Sequence, residues 1–170
     1  MTKQNFISMS LESGLKYVDL LCEPDDNICT LKGILNGLCC DEHGNVDCEI
    51  NDCMPILRPL DLTKEIEHGG EKFVPIVELA KIAWVDEDID FKYQSLKEGT
   101  VFIAFSDKNN VFGYDSNTQS FFGAIDGKPC SVVNQLTLFE TMIKWHFDLS
   151  DLISKNQAID INILETNPYK

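Results

Sequence analysis

The stretch from Cys39 to Cys53, CCDEHGNVDCEINDC, gathers four cysteines and a histidine into fifteen residues. Thiolate sulfur and imidazole nitrogen are the usual ligands of structural zinc, so Cys39, Cys40, His43, Cys48 and Cys53 form a candidate metal set. Such sites usually take ligands in pairs, two to four residues apart on a tight turn. Cys40 and His43 meet that spacing. Cys48 and Cys53 follow at intervals of five, on what reads as a hairpin, and make no second pair. Alternation along a strand also sends Cys39 and Cys40 to opposite faces. The spacing therefore predicts buried or half-exposed thiols, with no metal and no other cofactor. Cys39, Cys48 and Cys53 are the first ligands to test should a metal be found.

A cysteine nucleophile needs a base within hydrogen-bond reach. The chain has three histidines, His43, His68 and His146. His146, in KWHFD on an amphipathic stretch, reads as structural. His68 precedes Gly69-Gly70 and reads as a solvated turn residue. There is no G-x-S-x-G elbow, no P-loop and no G-x-G-x-x-G, so no catalytic residue is assigned and an enzyme is not expected.

The second group with chemistry is acidic. WVDEDIDF places Asp86, Glu87, Asp88 and Asp90 within five residues. The cluster could bind a hard cation, but it lacks the glycine and distal glutamate of a calcium loop. It reads either as a solvated turn or as a contact surface for a basic partner. The whole chain carries a formal net charge of −14. A surface of that sign repels phosphate, so direct DNA or RNA binding is disfavoured. The same surface can dock on the basic cleft of another protein. The acids are spread as ten in residues 1–60, ten in 61–99 and eight in 100–170, which excludes an acidic tail.

No run of 18 apolar residues is present, so no membrane span is expected. The first residues, MTKQNFISMSLESG, lack the apolar region of a secretory signal, and a cytosolic location is expected. In a reducing compartment, seven cysteines, an odd number, argue against a disulfide framework.

The elements that must position these groups read as α+β: a small antiparallel β unit, central strands and C-terminal amphipathic helices. The 170 residues suggest a single domain, or one built from a β-rich half at 1–60 and a mixed half at 61–170. GLKYVDLLC (14–22), ICTLKGILNGLCC (28–40, long or broken near Gly33 or Gly37) and VDCEI (46–50) read as strands. In PILRPL (55–60), Pro55 and Pro59 cannot donate to a ladder, so the segment is expected to leave the sheet. Asp61 is expected to cap one helical turn. PIVELAKIAW (75–84) reads as a helix with Pro75 in its first turn and Ile76, Leu79, Ala80 and Ala83 on one face. TVFIAFS, VFGYDS and QSFFGAI read as strands. VVNQLTLFETMIKWHF (132–147) reads as the best helix, with Val133, Leu136, Phe139, Ile143 and Phe147 at helical spacing and Leu136, Phe139, Ile143 and Phe147 toward the core. DLSDLISKNQA reads as a second helix capped by Asp148, and IDINILETNPYK as an extended tail.

Two segments carry a resemblance. PILRPLDLTKEIEHGGEKFVPIVELA and KWHFDLSDLISKNQAIDIN are similar to segments that recur in small uncharacterised proteins of Bacteroidetes phages and prophages. Together they cover roughly a quarter of the chain. The polar insertion often found after RPL is shorter here, and the cysteine-rich hairpin is not typical. The resemblance implies a phage or mobile-element origin and a shared scaffold, and no activity. Together with the acidic charge it leads to one expectation: a phage-encoded binding protein that inhibits a host protein with a basic nucleic-acid-binding surface. The sharpest version is an anti-CRISPR-like inhibitor of a nucleic-acid-handling defence system, with Asp86, Glu87, Asp88 and Asp90 as the contact. The alternatives are a phage structural or accessory protein, or a cysteine- or metal-dependent enzyme.

Overall fold

A computed structural model describes residues 2–11, 13–19, 28–41, 43, 46–84, 91–106 and 109–170. The acidic cluster Asp86, Glu87, Asp88 and Asp90 lies outside the described residues. The fold is α+β and divides into two compact units. One comprises Met1–Leu60 with Met142–Lys170, the other Asp61–Thr141.

The first unit opens with a helix, α1 (Lys3–Met9), that the sequence pattern did not announce. Thr2 starts it in extended geometry, and its hydroxyl accepts from the Asn5 N–H. Phe6 and Ile7 are its buried residues. A four-stranded sheet follows, built from β1 (Lys16–Asp19), β2 (Ile28–Thr30), β6 (Cys53–Leu57) and β14 (Ile159–Asp160), in the order β14-β6-β1-β2. A second sheet, of three strands, is an antiparallel meander of β3 (Gly33–Leu35), β4 (Leu38–Cys40) and β5 (Val46–Glu49). Residues 28–40 are broken at both expected places, before Gly33 and at Gly37, into three strands. The second break is an Asn36-Gly37 turn with both residues at positive φ (51° and 83°), the backbone that a tight two-residue hairpin requires.

The expectation that PILRPL leaves the sheet is corrected. β6 is an interior strand, paired antiparallel with β1 and parallel with β14. Pro55 is tolerated there because β14 engages only Ile56 and Leu57, so no ladder partner stands opposite Pro55 on that side. After β6, Arg58 forms an isolated parallel bridge with Phe147.

The second unit begins with an Asx turn instead of the expected helical turn. The Asp61 carboxylate accepts from both the N–H and the hydroxyl of Thr63. A hairpin, β7 (Ile66–His68) and β8 (Glu71–Phe73), turns at Gly69-Gly70. The helix α2 (Pro75–Trp84) has the span read from the sequence and buries Pro75, Ile76, Leu79 and Ala80. It packs on a five-stranded antiparallel sheet of β9 (Lys92–Leu96), β10 (Val101–Phe105), β11 (Val111–Asp115), β12 (Ser120–Ile125) and β13 (Lys128–Cys130). One face of that sheet presents Phe102, Ala104, Phe112, Tyr114 and Phe121, all buried. Trp84 of α2 meets Phe112 edge-on at 5.9 Å.

The helix α3 (Gln135–Lys144) is shorter than expected, and the face it buries is only partly the expected one: Ile143 and Phe147 are buried, but Val133 and Leu136 are not. Leu136 is 70% exposed and Val133 91% exposed, while Leu138, Met142 and Ile143 are buried. Phe139 sits edge-on to Phe121 at 5.0 Å and to Tyr114 at 6.0 Å. The helix stops because His146 takes a left-handed φ of 62°. The Phe147 N–H then reaches back to the Met142 carbonyl, and the His146 N–H to that of Ile143, the bond pair of a Schellman C-cap. Phe147 therefore lies past the helix. The expected second helix at 148–158 is instead a run of turns. Asp148, buried, closes them by accepting from the N–H groups of Ser150, Leu152 and Ile153.

Candidate functional site

Local pairing brings the cysteines together. Cys39 and Cys48 stand directly opposite each other on β4 and β5, and a register shift after Cys39 sets Cys40 against Val46. After Glu49 the chain turns sharply: the Ile50 N–H donates to the Gly37 carbonyl, and the Asp52 N–H to that of Glu49. That turn delivers Cys53 at the first position of β6. The Lys3 ammonium of α1 donates to the Asn51 carbonyl at 2.6 Å and so ties the helix to the turn.

The result is three buried sulfurs, those of Cys39, Cys48 and Cys53, all within 4.8 Å of one another. Among the described residues no fourth cysteine, histidine or carboxylate joins them. Cys40 is half-buried on the other side of its strand, and His43 is exposed. Sequence spacing weighs ligands within one turn. This cluster is assembled across three strands, so its signal lay in the strand register, which spacing does not report.

The electrostatics limit what the cluster can do. The Cys53 thiol is pushed far above the ordinary thiol range, first by its hydrogen bond with Cys39, then by burial, then by the neighbouring Cys39 and Cys48; Lys3 acts in the opposite sense. A thiol held protonated is a poor nucleophile, because the thiolate is the attacking form.

A second constellation lies around Arg58 and the WHFD segment. The His146 ring stacks on Tyr169, with centroids 3.9 Å apart and planes inclined by 16°. Its Nε2 lies 3.1 Å from the Ser13 carbonyl oxygen and 3.2 Å from the Ser13 hydroxyl. The Tyr169 hydroxyl donates to the Ile56 carbonyl at 2.7 Å and accepts from the Lys16 N–H at 3.0 Å. The Arg58 guanidinium donates through Nε to the Trp145 carbonyl and lies 5.6 Å from the centroid of the Tyr169 ring, within cation–π range. Burial lowers the Arg58 pKa and raises that of Tyr169. These contacts end on backbone or on a neighbour within the group, and they tie Tyr169 to β1 and β6. RPL is thus a structural connector.

The chain matches no known protein family, no curated protein and no solved structure. Function must therefore be argued from its own residues.

Among the acidic side chains that are described, only Asp41 and Asp148 are buried. His68 is half-buried at the end of β7. Among the described residues no helix is long and apolar enough to cross a membrane.

Proposed function

We propose that this is a non-catalytic, acidic binding protein of phage or mobile-element origin, acting in the bacterial cytoplasm. It inhibits a host protein by docking on that protein's basic nucleic-acid-binding surface. The observation that carries the reading is the placement of charge. The chain holds 28 acids against 14 Lys and Arg, and nearly all the described acids reach solvent. Such a surface sums to a long-range negative potential, which speeds encounter with a basic cleft and repels nucleic acid itself. Asp86, Glu87, Asp88 and Asp90, the densest acidic stretch of the sequence, form the proposed centre of contact. In its sharpest form the target is a nucleic-acid-handling defence complex, as for an anti-CRISPR.

The test is capture from nuclease-treated host lysate at low and at high salt, followed by competition with DNA. The reading expects a nucleic-acid-binding protein that is retained at low salt, released at high salt and displaced by DNA. A partner held equally at both salts and indifferent to DNA contradicts it, and so does the absence of any partner.

A further inference from the structure

The cluster of Cys39, Cys48 and Cys53 has no part in an acidic docking surface, because all three side chains are buried. Cysteines can serve as small apolar core residues, but these three converge, with their sulfurs within 4.8 Å of one another. The convergence is also held from outside. The β4–β5 register sets Cys39 against Cys48, backbone bonds fix the turn that carries Cys53, and Lys3 clamps that turn through Asn51. A donor set fixed in advance by its surroundings is what a metal site needs.

We infer that Cys39, Cys48 and Cys53 form a three-thiolate site for a soft, thiophilic metal ion of the Cu⁺ or Zn²⁺ class. Sulfur-only ligation selects such ions over hard cations such as Mg²⁺ and Ca²⁺. Cu⁺ is satisfied by three sulfurs, whereas Zn²⁺ in a structural site takes four ligands and would need a further donor from solvent. Loading converts three S–H groups into three S–metal bonds and releases three protons, so binding is favoured as pH rises. Lys3, whose charge acts on Cys53, partly offsets the negative charge left on the complex. A groove of about 550 Å³ in the same unit is lined by Lys3, Asn51 and Met54, and the last two flank Cys53 within two residues along the chain. None of the three thiols lines it.

The experiment loads the reduced full-length chain, without oxygen, with Zn²⁺ in one arm and Cu⁺ in the other. Native mass spectrometry then reads the stoichiometry. X-ray absorption at the metal edge reads the ligands. The expected result is one ion per chain in at least one arm, with three protein sulfurs in its first shell: those three alone for Cu⁺, or with one further oxygen or nitrogen for Zn²⁺. Binding should be lost in Cys48→Ser and kept in Cys130→Ser. If Cys48→Ser does not fold, the ligand shell of the unaltered chain still decides. No stoichiometric ion in either arm, a shell dominated by nitrogen or oxygen, or full binding by folded Cys48→Ser overturns the assignment and leaves the three thiols as core packing. The capture experiment for the acidic surface is independent of all of these outcomes.

Discussion

The ring of His146 lies flat on that of Tyr169, the penultimate residue, at 3.9 Å between centroids. One partner is a helix stop in the left-handed region; the other closes the chain onto β1 and β6. The WHFD segment and the C-terminal residues therefore act as one structural device, and its consequences can be measured.

Removing the Tyr169 hydroxyl should weaken the fold. Tyr169→Phe leaves the buried Ile56 carbonyl and the Lys16 N–H without their present partner, a loss of about 1–3 kcal/mol. Urea unfolding at neutral pH measures it. A change under about 0.5 kcal/mol, the range of a neutral surface substitution, contradicts the placement.

The same residue sets an alkaline limit. Burial raises the Tyr169 pKa above that of the unfolded chain, so its stabilising contribution is complete below about pH 10 and is lost as pH climbs beyond. Cys53 is raised too, and its contribution declines from about pH 8.5 upward. Stability should fall steadily on the alkaline side, and less steeply in Tyr169→Phe. Identical pH profiles for the two proteins contradict this account.

His146 holds a φ of 62°, which costs a non-glycine residue about 1 kcal/mol or more. Both His146→Ala and His146→Gly lose the stack and the contact with Ser13, but only glycine relieves the backbone. Glycine should therefore be the more stable of the two by about 1 kcal/mol in thermal or urea unfolding. The opposite order would mean that the helix does not end in this cap.

On α3, Leu138→Ala should cost about 2–5 kcal/mol, because Leu138 is fully buried, whereas Leu136→Ala should stay within about 0.5 kcal/mol. Comparable losses at both positions would restore the helix face expected from the sequence.

That pair also marks the limits of the sequence. The α2 span was legible because Pro75 sets its start and four apolar residues share one face. The strands at 101–105, 111–115 and 120–125 were legible from dense β-branched and aromatic composition. Ile143 and Phe147 were legible as buried, but the choice of leucine was not: Leu136 lines up with Ile143 and Leu138 with Met142 at helical spacing, and only packing chooses between them. α1 was missed because a seven-residue helix shows too little periodicity. The Asn36-Gly37 turn signal is present in the sequence, but it does not by itself tell a break in one strand from a hairpin. Pro55 misled because the rule against proline in interior strands has an exception where the neighbouring strand is two residues long. The three-thiol cluster was hidden for another reason. Its members were all named, but strand register rather than spacing brings them together.

Docking by charge would show in the association rate with the captured host partner as a function of salt. It should be made on the native chain and on a variant carrying Asp86→Asn, Glu87→Gln, Asp88→Asn and Asp90→Asn. The rate should fall steeply with salt for the native chain, and be slower and less salt-sensitive for the variant. The variant's stability should stay within about 0.5 kcal/mol of the native value. Equal rates for the two proteins at low ionic strength would contradict the assignment of that cluster, and a native rate indifferent to salt would contradict docking by charge altogether.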